Sequence, residues 1–256
     1  MVSMVAEYMA HSGDDALVAN AARVSFAKET MLVDIESASD SVPDRTDDNA
    51  HKVDAFIEYL RKEYASFSEE ALAYPDHRLV NFLADEYHLL PFRHPHITMR
   101  CKVPLFVARQ VGKHQIGMTW SEESRRYIDS KPEFFYPEVM RARADNVKQG
   151  SSAEPADTTV ELEWYVGVAM GAYEKMLADG VAPELARLVL PQNMMVNFVW
   201  TGSLLAWFHL YDQRTGHGAQ RETAEFAEMV KREIAPLYPA SWEALEEYCR
   251  NFELED

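Results

Sequence analysis

Long apolar runs are missing from this 256-residue chain. A membrane-spanning helix needs about 18 or more of them in a row, so no membrane segment is expected. Cysteine is scarce: only Cys101 and Cys249 occur, far apart. That excludes a disulfide framework and fits a reducing compartment. Glycine is also thin, at ten residues, and never clusters. Neither GxxxxGK[ST] nor GxGxxG is present, so a nucleotide here must be held by side chains and helix ends. Positive charge is in deficit, with 25 Lys and Arg against 42 Asp and Glu and a net charge of −17. A general nucleic-acid binder would need a basic footprint instead. The opening MVSMVAEYMAHSGDD has no basic stretch followed by a long apolar one, so a cytoplasmic location is expected.

Two further absences narrow the chemistry. There is no HExxH and no CxxC; His94 and His96, two apart, fall short of a zinc ligand set, and no metal is expected. Neither cysteine sits in a nucleophile motif. Cys101 falls on the inferred buried side of a strand, where a thiol is usually inert.

What is present is enough to fold. Hydrophobic residues make up 47% of the chain and aromatics 11%, so a sizeable core can be buried. The charge is uneven. Between Arg93 and Arg143 stand ten Lys and Arg against five Asp and Glu, a positive island in an acidic protein. His94, His96, His114, Trp120 and Tyr127 share that stretch. Cations, imidazoles and aromatic rings together suit a planar anionic ligand better than a merely solvated face.

Residues 15–26 read as a short helix running into a strand or turn, and periodicity predicts further helices at 51–65 and 77–88. Residues 96–103 alternate Ile97, Met99, Cys101 and Val103 with polar partners, as a half-buried strand does. Pro104 then suits a first helical position, and PLFVARQVGKH reads as a helix with Arg109 and Lys113, and Gln110 and His114, four apart. Residues 34–76 read as an insertion or loop region, and 145–157 as a connector. From 158 the chain reads as helical, over 158–178, 183–190, 192–212, 217–235 and 241–252. An early mixed part and a late helical one predict a single α/β (α+β) domain over 1–256.

Two arginines stand out by context. Arg187 lies in LARLVLPQN, among apolar neighbours, and a buried guanidinium there needs an anionic partner such as a phosphate. Arg214 lies at the end of a helix in YDQRTGHGAQ, where a cation also complements the helix dipole.

The stretch VPLFVARQVGKHQIGMTWSEESRRYIDSKPEFFYP, residues 103–137, resembles the signature region of the flavin-dependent thymidylate synthases. AARVSF (21–26), HLLPFRHPH (88–96), ARLVLPQN (186–193) and WTGSL with QRTGHGAQRE (200–222) follow in that family's order. The likeness covers most of the chain except about 30–75. Where the family has Arg-His-Arg, this sequence has Lys113-His114-Gln115, with one extra residue before Ser124. Ser121 replaces the usual Asn, and Leu90, Arg93, Ser203 and Leu205 also depart from the pattern.

The resemblance implies a central twisted, mainly antiparallel sheet flanked by helices, in a homotetramer whose active sites form between subunits. It implies methylation of dUMP to dTMP with methylenetetrahydrofolate as one-carbon donor and FAD, reduced by NADPH, as hydride source. No cysteine nucleophile is involved. By the same resemblance, Gln110, Ser124, Arg125, Arg126, Arg187 and Arg214 would bind dUMP. Lys113, His114, Gln115, Glu122, Ser25, Ser203 and His209 would bind FAD, and His88 and Tyr127 would face the folate. Arg214, Ser124 and Glu122 would be the catalytic set, with Arg214 drawing charge from the pyrimidine. Two other readings stay open at this point: a catalytically impaired nucleotide- and flavin-binding homologue of the same fold, and a structural helical oligomer with a basic rim.

Overall fold

A computed structural model describes residues 2–35, 47–64, 70–128, 130–145 and 150–253. Eight strands and nine α-helices are found among them, with short 3-10 turns between. By contact the chain divides into two compact units. The first comprises Met1–Glu7, Met99–Thr201 and Leu210–Val230; the second comprises Tyr8–Thr98, Gly202–His209 and Lys231–Asp256.

The principal sheet is antiparallel, has four strands and is flanked by helices, in the order β1 (Val5–Ser12), β4 (His96–Pro104), β8 (Met195–Ser203), β5 (Met118–Glu122). The expected fold class is therefore the observed one. β4 buries Ile97, Met99, Cys101 and Val103, the alternation its sequence predicts. Two small ribbons accompany the sheet: β2 (Val33–Asp34) with β3 (Glu70–Ala71), and β6 (Arg141–Arg143) with β7 (Ser151–Pro155).

In the second unit, α1 (Asp15–Arg23), α3 (Tyr74–Asp85) and α9 (Pro239–Glu253) pack together. Gly13 reaches φ +72 just before α1, and Asp14 caps the helix by accepting from Leu17 N at 3.2 Å. Asp15 reaches α9, where its carboxylate accepts from Ala240 N, Ser241 N and Ser241 Oγ. Those are donors that the start of a helix otherwise leaves unpaired. Helix α2 (Asp47–Glu63) occupies part of the region read as an insertion or loop. Its Phe56, Ile57 and Leu60 form a buried cluster with Ile35, Tyr64 and Ala71. The acidic stretch 36–46 lies outside the described residues.

Three sequence expectations are corrected. Residues 192–212 are not one helix: β8 ends at Ser203 and α7 (Leu204–Thr215) follows. Apolar residues dominate this stretch, with Asn197 and Thr201 among them, and suit either period; here the branched and aromatic residues prevail. Val196, Phe198 and Trp200 are buried, with half-buried residues between them. Ser203 Oγ then accepts from Ala206 N at 3.3 Å, capping the new helix. Next, the 145–157 connector contains β7. Finally, α4 (Leu105–Val111) starts after Pro104 and stops before Gly112, so Lys113 and His114 lie beyond its end and the four-residue spacing does not place them on its surface. Gly112 N donates to Ala108 O at 2.8 Å and His114 N to Val111 O at 3.0 Å, closing the helix in a turn. At the other end of α4, Leu105 N and Phe106 N donate to Met194 O and Gln192 O at 2.8 and 3.1 Å.

Candidate functional site

Everything in the positive island between α4 and β5 belongs to the first unit. After α4 the chain turns at Gln115–Met118, with Met118 N donating to Gln115 O at 3.2 Å. Gly117 supplies the φ of +73 that the third turn position requires. This turn carries His114 and Gln115 back beside α4 and starts β5. On β5, Trp120 and Glu122 share a face because strand side chains alternate. Trp120 stacks on Phe198 of β8 with ring centroids 3.6 Å apart, and meets Trp200 edge-on at 5.0 Å. Its Nε1 donates to Glu122 Oε2 at 3.2 Å. Beyond β5, Glu123 N donates to Asn197 O at 2.9 Å, and Asn197 Nδ2 donates to Glu123 Oε2 at 3.0 Å. These bonds tie the Ser124 loop to β8.

Two clefts flank β5. One, of about 510 Å³, is walled by His114, Gln115, Met118, Trp120, Trp200 and Arg109, with Glu122 at its margin. The other, of about 490 Å³, gathers Ser124, Arg125, Arg187 and Gln192, again with Arg109 and Glu122. The first offers aromatic and imidazole surface; the second offers three guanidinium groups and a hydroxyl, with the carboxylates of Glu122 and Glu123 also on its wall. Leu105, Arg109 and Glu122 belong to both. A planar ring suits the first and an anion the second, and a guanidinium binds phosphate or carboxylate through two parallel hydrogen bonds.

Next to the first cleft, α7 carries Arg214 in its last turn. Its Nε donates to His114 Nε2 at 2.9 Å and its Nη2 to Gln110 O at 3.0 Å. An Nε2 that accepts carries no proton, so the His114 ring is neutral with its hydrogen on Nδ1. Burial lowers the Arg214 pKa below the usual arginine value, yet a guanidinium stays charged at any physiological pH.

Gln110 has further partners. Its Nε2 donates to Gln220 Oε1, and its Oε1 accepts from Thr223 Oγ1 at 3.3 Å. Gln220 Nε2 in turn donates to Glu222 Oε2 at 2.9 Å. Glu222 pairs with Arg141 Nη2 at 2.7 Å, the two side chains only 6% and 14% exposed. Burial opposes the Glu222 charge, but hydrogen bonds from Gln220 and Arg141 outweigh it and hold the pKa below the ordinary glutamate value. Removing one partner of such a buried pair typically costs about 3–5 kcal/mol.

Other sequence candidates are placed differently. Arg126 meets Glu184 Oε2 through Nε at 3.3 Å and lies over the Tyr127 ring at 5.5 Å. Tyr127 itself is 79% exposed. Lys113 is exposed and lines neither cleft. Ser25, His88, Ser203 and His209 belong to the second unit. Ser25 stands in the 3-10 turn Val24–Phe26. His88 and His209 are exposed, while Ser203 is 3% exposed and caps α7. Among the described residues, no group of three His, Cys, Asp or Glu is arranged to hold a metal ion, and no helix is long and apolar enough to cross a membrane.

Several residues of this region escape a reading of the sequence alone. Arg109 reaches both clefts, and its place in the helix before the triplet is a usable signal. Trp120 alternates with Glu122 along β5, also legible once the strand is known. Gln220 and Glu222 stand in QRTGHGAQRE and Arg141 in the basic island, but that Gln220 meets Gln110, and Glu222 meets Gln220 and Arg141, comes only from long-range folding.

Comparison with known proteins bears on this geometry. The model of the family described as thymidylate synthase complementing protein, Thy1, matches residues 5–240. A protein named flavin-dependent thymidylate synthase from Thermus thermophilus is 34% identical over 175 residues, which is 68% of this chain and 64% of that one. One of the same name from Aquifex aeolicus is 37% identical over 142 residues, 54% of this chain and 44% of that one. The chain thus spans less than two thirds of the length of these curated relatives. Among solved structures, a UMP/dUMP methylase, PolB from Streptomyces cacaoi, bound with 5-Br dUMP, superposes with a TM-score of 0.68. Its sequence identity is 24%, over 98% of this chain and 97% of that one, a likeness of fold.

Proposed function

The chain belongs to the thymidylate synthase complementing protein family, and from that premise we propose that it methylates dUMP to dTMP. Methylenetetrahydrofolate would be the one-carbon donor, and FAD reduced by NADPH the hydride source. One observation carries the reading: Ser124, Arg125 and Arg187 converge on a single cleft, while Arg214 is held by Gln110 and by His114, a wall of the neighbouring aromatic cleft.

The cationic cleft fits the nucleotide. Arg187 and Arg125 would neutralise the phosphate, with the Ser124 hydroxyl as a further donor and Arg126 near the rim. Two guanidinium groups on one dianion supply charge-assisted bonds, each worth about twice a neutral one. Arg214 would then meet the pyrimidine edge. Its charge would stabilise negative charge developing on the ring and activate C5 without a covalent bond to the enzyme. Its two protein partners fix it in advance, so little reorganisation is needed at the moment of reaction.

The aromatic cleft fits an isoalloxazine ring by its residues: Trp120 and Trp200 offer flat apolar surface, and His114, Gln115 and Arg109 offer polar groups at the edge. Bound there, the flavin would supply the hydride. Lys113 would add positive charge nearby; Ser203, buried and capping α7, would not take part, and Ser25 and His209 would serve a flavin held by another subunit. Glu122, shared by both clefts and held by Trp120 Nε1, would orient the two ligands relative to one another. His88 and Tyr127 would face the folate. Neither cysteine takes part: Cys101 is fully buried, and burial drives its thiol pKa far above the usual range, so no thiolate forms.

Assembly into a homotetramer, with active sites shared between subunits, belongs to the same proposal. Its support is helix α5 (Leu162–Ala178), which leaves Trp164, Tyr165 and Val168 more than half exposed. Beside it, α6 (Pro183–Ala186) and the following turn expose Leu185 and Leu188. Apolar exposure of this extent on one side usually marks an interface.

The test is direct. Purified protein should be yellow and bleach with NADPH, and should release tritium from C5-labelled dUMP only when methylenetetrahydrofolate is present. A colourless protein that binds neither dUMP nor flavin would refute the proposal. A yellow, dUMP-binding protein without release would establish the catalytically impaired reading instead.

A further inference from the structure

Gln110 is an ambivalent residue: its amide presents a donor or an acceptor depending on which way it is turned. Within α4 only Phe106 O bears on the choice, and weakly, at 3.5 Å. The decision comes from a chain of contacts ending in a group with no such ambiguity. Glu222, ionised beside Arg141, can only accept. Gln220 must therefore turn its Nε2 toward Glu222, as it does at 2.9 Å. That leaves Gln220 Oε1 facing Gln110, which must answer with its own Nε2. Gln110 Oε1 is then directed to Thr223 Oγ1, a residue with no exposed surface. The second N–H of the Gln110 amide reaches only Phe106 O, at 3.5 Å, the outer limit of a hydrogen bond. That contact is the weakest the amide makes.

The same residue holds Arg214 through its main-chain carbonyl, at 3.0 Å. Under the proposed function Gln110 belongs to the dUMP set, where an anionic nucleotide needs a donor; turned the other way, it would offer carbonyl density instead. Arg141 is tied at both ends, donating from Nε to Ser151 Oγ of β7 at 2.7 Å and from Nη2 to Glu222. It therefore keeps the carboxylate charged and in place.

We propose that Glu222, clamped by Arg141 and acting through Gln220, is a positioning residue that sets the amide polarity of Gln110 beside Arg214. None of the three touches the nucleotide. The inference rests on the proposed dUMP site.

The experiment compares full-length wild type with Glu222→Gln, Gln220→Leu, the double variant and Arg141→Lys. Each is titrated with dUMP by calorimetry and with FAD by absorbance, and KM and kcat are measured. Glu222→Gln keeps shape but loses the acceptor-only character. Gln220→Leu cuts the chain while leaving the Arg141–Glu222 pair intact. Each should weaken dUMP about tenfold, the scale of one lost hydrogen bond to a charged group. KM should rise in step, with kcat and FAD affinity held within about twofold on the same scale. The double variant should be no worse than either single one, and Arg141→Lys, which keeps a cation beside Glu222 but cannot also span Ser151, should fall between wild type and Glu222→Gln. If Glu222→Gln does not fold, Gln220→Leu decides alone. Unchanged dUMP affinity in the folded variants, or additive losses, overturns the inference. A wild-type protein that ignores dUMP removes the functional reading and this inference together.

Discussion

Arg214 and His114, one hundred positions apart in sequence, are joined by a single hydrogen bond of 2.9 Å from Nε to Nε2. Under the proposed function it links the residue assigned to the pyrimidine with one assigned to the flavin. The bond requires a neutral imidazole. Arg214→Lys should sever it, because one ammonium cannot span both His114 Nε2 and Gln110 O with the geometry of a guanidinium. The expected loss is about 10- to 100-fold in kcat/KM, the value of one or two charge-assisted bonds. Steady-state tritium release measures it; turnover within twofold of wild type would remove Arg214 from the chemistry.

Arg187 and Lys113 should separate the two ligands. Arg187 lines the cationic cleft, so Arg187→Ala is expected to weaken dUMP by about 10-fold or more while leaving FAD little changed. Lys113→Ala should do the opposite. Uridine, which lacks the phosphate, should bind the Arg187 variant as well as it binds wild type. Parallel titrations of all three ligands check this, and equal losses for dUMP and FAD would contradict the assignment.

Cys101 should be dispensable for turnover. Its thiol has no exposed surface and stays protonated. Cys101→Ala is expected to keep kcat within about twofold and to cost on the order of 1 kcal/mol in stability through lost packing. An abolished reaction in a folded variant would overturn the thiol-free mechanism.

His77 should make the fold sensitive to acid. Its ring packs against Phe56 at 5.0 Å and Tyr59 at 6.1 Å, and burial lowers its pKa to about 4. The unfolded residue titrates near the ordinary histidine value of 6.5. Between those values the unfolded chain binds a proton that the native one refuses, so stability falls as pH drops from about 6.5 toward 4. The full effect is about 3 kcal/mol. Asp15 works the other way: burial raises its pKa to about 6, so the native chain takes up its proton first and that contribution fades as pH rises toward 6. His77→Phe should therefore make the acid limb shallower in urea unfolding measured from pH 7 to pH 4. An unchanged limb would refute the assignment.

Much of the architecture is legible beforehand, for reasons that stay local. The alternation from Ile97 to Val103 gives away β4, since strand side chains point to opposite faces whatever they pack on. Helices α2, α3, α5, α8 (Arg221–Ile234) and α9 follow from apolar spacing, with ends off by a few residues. Residues 195–203 read as helix because the apolar residues running on through 204–208 mask the alternation of Val196, Phe198 and Trp200 with Asn197 and Thr201, which only pairing in the sheet makes plain.

Residue chemistry alone dictates that a basic, aromatic, histidine-bearing segment seeks an anionic planar ligand without metal-binding or thiol motifs. Side-chain identity sets charge and hydrogen-bonding capacity before any folding occurs. Only folding brings Arg187 to Ser124 and Arg125, seats Arg214 on His114, and gives Glu222 its hold over the sense of Gln110. Those partners lie tens to a hundred residues apart, and a hydrogen bond of about 3 Å depends on the final position of both ends, which no spacing along the chain encodes.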